Sequence, residues 1–320
     1  LLDGQRRALT TLTERLTLAG DRERLPAVND AALAALVQGI EIADERTSAT
    51  RYIARLNVRF KPDGIRQYLR DAGVPYSETV SKPLLVIPVF EHEGARTLWN
   101  DANPWRTAWA ARERSAGLMR IILPLGDLAD SIVMDADRAL AGDAGALAAL
   151  TQRYGLTDAM VAHAWLQGDQ AVDEPRVQVT LLRLRSDGRE TLTEVYAGGS
   201  FNDVPGVLSQ VVDFIANRLE DEWKQATLLR PESGSTLDVT VPLSNMEEWL
   251  AVRERLESMA ELRQVEVLAL NRGGARVVLH YFGDPTRLKV ALAQRDLELA
   301  ERGGSWTLRS LGPSNARPNR

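Results

Sequence analysis

Residues 83–90, PLLVIPVF, are apolar without a break. A strand with one wet face alternates apolar and polar side chains, whereas a short unbroken run belongs to a strand buried on both faces. Such a strand needs helices above and below it, and the flanking sequence offers them. Residues 119–125 (MRIILPL) and 158–166 are further apolar runs, and residues 104–112 and 139–154 carry helical patterns between them. A hairpin of residues 176–185 and 190–197 around Asp187-Gly188 follows, then a long amphipathic helix over residues 204–227. Residues 79–230 therefore predict an α/β domain with a partly parallel sheet and an antiparallel extension.

The flanks read differently. Leu9, Leu12, Leu16 and Leu18 mark a helix, and a second one is capped by Asn29 or Asp30, carries Leu33, Leu36 and Val37, and stops at Gly39. Two β-runs come next, over residues 39–48 and 50–60. In the second, Tyr52, Ala54, Leu56, Val58 and Phe60 alternate with Arg51, Arg55, Asn57 and Arg59. Lys61-Pro62-Asp63 opens a short helix bearing Ile65, Tyr68 and Leu69. Residues 1–78 thus predict an αα-hairpin-α domain. Polar linkers are expected near residues 77–82 and 230–235. Residues 235–311 give the order βαββαβ with one extra hairpin strand, a ferredoxin-like split βαβ plan. The polar tail, residues 312–320, is expected to fray. The fold class expected is α+β in three small modules.

The composition narrows function more than it defines it. A chain of 320 residues is long for one core. A net charge of −5 argues against a general polyanion binder, which needs excess positive charge to release counterions, so no nucleic-acid partner is expected. Cysteine is absent, which removes disulfides, thiolate metal sites and cysteine nucleophiles together. No apolar run reaches the roughly 18–20 residues of a membrane span. Leu1 is not methionine and residues 5–18 already read as helix interior, so the true amino terminus is expected to have been removed, and a signal peptide could have gone with it.

No motif for an active site stands out. His92 and His163, with Glu91 and Glu93, lack the spacing of a metal motif, and neither a metal nor any other cofactor is expected. A G-x-S-x-G elbow, an S-x-x-K pair and the Gly-rich phosphate loops are missing. Scattered carboxylates leave an unrecognised hydrolase as a third reading. Arg51, Arg55 and Arg59, followed by Lys61, could form a basic stripe for anionic surfaces; the alternative is pairing with Glu41 and Glu45 of the preceding strand. In the third module, Gly274, Arg276 and Leu279 occupy the positions where an RNA-recognition sheet would place aromatic rings, so bases would find no platform. Trp99, Asn103, Trp105 and Trp109 cluster after the first buried strand, where ligands dock in open α/β sheets. They could line a small-ligand or glycan site, or simply fill the core.

Residues 37–79 (VQGIEIADERTSATRYIARLNVRFKPDGIRQYLRDAGVPYSET), 82–90 (KPLLVIPVF) and 103–109 (NPWRTAW) resemble an uncharacterised bacterial family, domain-of-unknown-function family 2066. The middle module is similar, more loosely, to the amino-terminal domain of TolB. The resemblance implies a periplasmic or envelope-facing protein, although the residues by themselves leave the cytosol open. It implies partners among envelope proteins and a role in scaffolding or regulating their assembly, and it brings no catalytic residue with it. Fold analogy is a weak warrant for function. The leading expectation is a non-enzymatic accessory protein, with ligand binding at Trp99–Trp109 as the alternative.

Overall fold

A computed structural model describes residues 1–47, 52–99, 103–112, 117–168, 175–185, 188–230, 234–271 and 273–311. The chain is mixed α+β and divides into two units, one of residues 1–79 with 224–311, the other of residues 80–223.

The first unit starts with α1 (Leu2–Leu16) and α2 (Asp30–Leu36). The Asn29 side chain accepts from the Ala32 N–H at 2.8 Å, which satisfies one of the free donors at the start of α2. Gly39 does not end this helix. The chain is already extended at Val37, where β1 (Val37–Thr47) begins and pairs antiparallel with β2 (Tyr52–Phe60). Helix α3 (Pro62–Asp71) starts on a proline, whose missing N–H is harmless in a first turn, and buries Ile65 and Leu69. Those two side chains join Leu9, Leu33, Val74, Tyr76 and Leu229 in one core.

The second unit is built on β3 (Leu84–His92), whose first seven residues are all buried. The following elements are β4 (Ala95–Thr97), α4 (Pro104–Ala111), β5 (Ile121–Ile122), α5 (Leu128–Val133), α6 (Ala136–Ala141) and α7 (Ala144–Arg153). Then come β6 (Asp158–Gln167), β7 (Arg176–Arg185), β8 (Gly188–Ala197) and α8 (Val204–Thr227). The strand order is β4-β3-β6-β7-β8, with β5 parallel to the start of β3. Strands β3 and β6 are parallel from Leu84↔Asp158 to His92↔Leu166, and β7 and β8 extend the sheet antiparallel. Val86, Met160 and Ala162 pack with α4 and α8 on one face. Leu85, Ile87 and Val161 pack with α6 and α7 on the other. Helices on both faces are the reason the β3 run is apolar throughout.

Two segments depart from the sequence reading. Residues 119–125 form a strand of only two residues, because Pro124 has no N–H for a ladder and Gly126 turns the chain at φ 73°. Residues 139–154 are not one helix. Gly142 closes α6 in the left-handed region, and the Asp143 carboxylate accepts from the N–H groups of Gly145 and Ala146 to open α7.

The first unit is completed by β9 (Gly234–Pro242), α9 (Met246–Glu257), β10 (Leu262–Asn271), β11 (Gly274–Phe282), α10 (Pro285–Gln294), β12 (Leu297–Arg302) and β13 (Ser305–Ser310). Both helices cover one face, through Trp249, Val252 and Leu256 of α9 and Leu288 and Leu292 of α10. The strand order β10-β11-β9-β13-β12 refines the ferredoxin-like expectation. The extra strand is internal: the turn at Gly303-Gly304 sends β13 back between β12 and β9, where it runs parallel to β9 at Trp306↔Val239.

Candidate functional site

The predicted tryptophan cluster fastens α4 to the sheet. The Asn103 side-chain oxygen accepts from the Arg106 N–H at 2.9 Å, and its amide lies 3.0–3.2 Å from the carbonyls of Pro88, Leu98 and Thr97. Trp105 is 0% exposed and donates its indole N–H to the Ala162 carbonyl at 2.9 Å. Trp109 is 4% exposed and meets Trp105 edge to face at 5.7 Å. Trp99 is half-buried and donates to the Met134 carbonyl at 2.6 Å. Asn103, Trp105 and Trp109 come together, whereas Trp99 packs in the core on the other face of the sheet, and Trp105 and Trp109 offer almost no surface on which a ligand could stack.

The other candidates are dispersed. Arg51 and the side chain of Arg55 lie outside the described residues. Arg59 pairs with Glu41 of the facing strand, and Lys61 donates to the Ala35 carbonyl at 2.9 Å. His163 Nε2 lies 3.2 Å from Glu91 Oε2, off the line of a hydrogen bond. Glu91 is itself held by Arg96 at 3.0 Å, and Arg96 reaches Asp137 at 2.9 Å. Burial pushes the His163 pKa down, with the Glu91 charge working against that shift. His92 sits beside the Leu166 carbonyl, and His280 beside Glu266. Among the described residues no three His, Asp or Glu side chains come together as a metal site would require.

The most unusual surface lies on α5 and the turn before it, which the sequence reading passed over. Asp127 caps the helix by accepting from the Asp130 N–H at 2.9 Å. The Asp130 side chain is 0% exposed. It pairs with Arg153 and accepts from the Tyr154 hydroxyl at 2.7 Å and the Gly126 N–H at 2.8 Å. Arg153 also bridges to Asp127 at 2.6 Å, and Arg106 donates to the Leu125 carbonyl. The Arg153 guanidinium holds the Asp127 carboxyl well below the usual carboxylate range, with the Asp130 N–H helping. Tyr154 is pushed up to about 12, first by burial and then by its bond to Asp130.

With the Asp130 carboxylate turned inward, this segment presents apolar side chains outward. Leu125, Leu128 and Ile132 are 69%, 77% and 72% exposed. Leu128 and Ile132 are four residues apart and so share one face of α5. A buried carboxylate beneath exposed aliphatic side chains reverses the ordinary amphipathic pattern of a surface helix. Isolated exposed leucines are commonplace, whereas a contiguous group on a well-fastened support marks an interaction surface. The available signal was the Asp127-x-x-Asp130 capping spacing after Pro124-Leu125-Gly126, which places a helix start directly after the strand expected over residues 119–125.

No family model and no curated protein matches this chain. Among solved structures it is similar to a dodecameric PelC variant from Paraburkholderia phytofirmans, at 14% identity over 45% of this chain and 93% of that one, with a TM-score of 0.28. It is also similar to a lipoprotein from Neisseria meningitidis, at 16% identity over 44% of this chain and 99% of that one, with a TM-score of 0.25. An uncharacterised protein gives 8% identity over 46% and 94% of the two chains, with a TM-score of 0.24. Likenesses this weak carry no argument about function. Among the described residues no helix is long and apolar enough to cross a membrane.

Proposed function

We propose that this chain is a non-enzymatic accessory protein of a periplasmic, cell-envelope assembly, and that it acts by docking a protein partner on α5. The observation that carries the reading is the reversed helix, with Asp130 buried and Leu125, Leu128 and Ile132 exposed. Covering those three side chains would contribute roughly 3–6 kcal/mol before the entropic costs of association. Because Asp130, Arg153, Tyr154 and Arg106 already hold the segment, little further ordering is needed on binding. The envelope setting is supported by the sequence resemblance of residues 37–109 alone.

The test is photocrosslinking in cells from a residue analogue at position 128, with position 210, exposed on α8, as the control. The expected result is one dominant envelope protein captured from position 128 and lost on Ile132→Ser. Equal capture from both positions, or crosslinks to lipid alone, would sink the docking reading. Recovery of the tagged protein from the cytosolic fraction would sink the envelope setting.

A further inference from the structure

The first unit contains a cleft of about 580 Å³ between α3 and the ends of β10 and β11. Its volume falls in the range of small-molecule sites. Three arginines line it, and they are not equivalent. Arg66 is committed: its Nε and Nη2 grip Glu78 at 2.8–3.1 Å, and its Nη1 reaches Asp63 at 3.1 Å. Arg70 has only neutral partners, the Gln67 side-chain oxygen at 2.9 Å and the Tyr76 hydroxyl. Arg263 lies over the Phe282 ring, 5.8 Å from its centre. Neither Arg70 nor Arg263 forms an ion pair with any described residue. Of the carboxylates on the rim, Glu257 already pairs with Arg253 at 2.7 Å, and Asp63 with Arg66.

Two guanidinium groups without a carboxylate partner therefore line a mainly polar cleft that also holds an apolar patch of Met259, Leu262 and Phe282. Tyr76 adds a phenol, which burial keeps protonated and able to donate. Guanidinium forks match the two oxygens of a carboxylate or phosphate, and a partly desolvated site strengthens that pairing. The apolar patch gives the rest of such a ligand somewhere to sit. We propose that this cleft binds a small amphipathic anion, a single carboxylate or phosphate group on an apolar body. The site is separate from α5 and does not depend on partner docking.

The test is calorimetric titration of the whole chain with octanoate and with octyl phosphate, beside inorganic phosphate and octanol. At least one amphipathic anion is expected to bind saturably, with inorganic phosphate and octanol at least about tenfold weaker; the tighter of the two anions identifies the head group. Arg70→Gln and Arg263→Gln should each weaken binding about tenfold at unchanged melting temperature, since each removes a charge-assisted contact. Lys289→Gln, which removes a charge from exposed α10, should bind as the parent does. The proposal is overturned if neither anion binds saturably, or if octanol or inorganic phosphate binds as tightly as they do. Equal affinity in the arginine variants, or equal weakening by Lys289→Gln, would overturn it as well.

Discussion

The Tyr154 hydroxyl donates to the Asp130 carboxylate at 2.7 Å and accepts from the Leu125 N–H at the same distance, so one phenol ties the buried acid to the exposed turn. Asp130 thereby anchors the start of α5, whose apolar anchoring comes at its other end, from Val133 and the buried Met134. Changing Asp130→Ala leaves the Gly126 N–H and the Tyr154 hydroxyl without their partner. It also removes one of the two carboxylates on Arg153. The expected cost is roughly 2–4 kcal/mol in urea unfolding. A change below about 0.5 kcal/mol would mean that α5 is held by other contacts.

The same phenol predicts alkaline behaviour. In the folded chain the Tyr154 phenol is pushed up to about 12 from its ordinary 10.0, first by burial and then by its bond to Asp130. A group whose folded pKa is raised contributes stability that is complete below its unfolded pKa. That contribution is lost as pH rises through the folded one, here between 10.0 and about 12. Ultraviolet titration should show one late phenolate that disappears in Tyr154→Phe. The variant should also lose stability less steeply over that interval.

Trp105 supplies a test of the core. Trp105→Phe removes the bond to the Ala162 carbonyl and part of the ring, and should cost roughly 1–3 kcal/mol. Trp105→Ala should cost roughly 3–5 kcal/mol. Thermal or denaturant unfolding reads both. A neutral Trp105→Ala would contradict the packing of α4 against the sheet.

His163 should titrate below its ordinary 6.5, because burial penalises the imidazolium. Glu91→Gln removes the charge that favours protonation, so the midpoint should fall further in a proton NMR titration. The unfolded chain takes up the proton first as pH drops. Stability therefore decreases from about pH 6.5 down to the folded pKa and then levels. A midpoint that rises in Glu91→Gln would show that the two side chains are not coupled as the 3.2 Å approach requires.

Much of this protein is local, and the local parts are legible in its residues. Residues 84–90 are buried on both faces as an unbroken apolar run demands, and α8 spans Val204–Thr227 as its periodicity indicates. Asn29 caps α2 and Asn103 caps α4, because capping depends only on the next three residues. What the sequence by itself determined is this succession of elements and the α+β class.

Tertiary structure decided which faces are covered. Leu128 and Ile132 have the spacing of a core stripe, and Asp130 has the chemistry of a surface residue. The structure reverses both, because Arg153 and Tyr154, some two dozen residues further on, close over the acid. Trp105 and Trp109 could have been a binding site or core, and contact with β6 makes them core. The place of β13 inside its sheet likewise follows from a parallel pairing with β9, far away in sequence. Periodicity reports that a side chain has an apolar face to offer. Only the packing of distant segments settles whether that face meets protein or water.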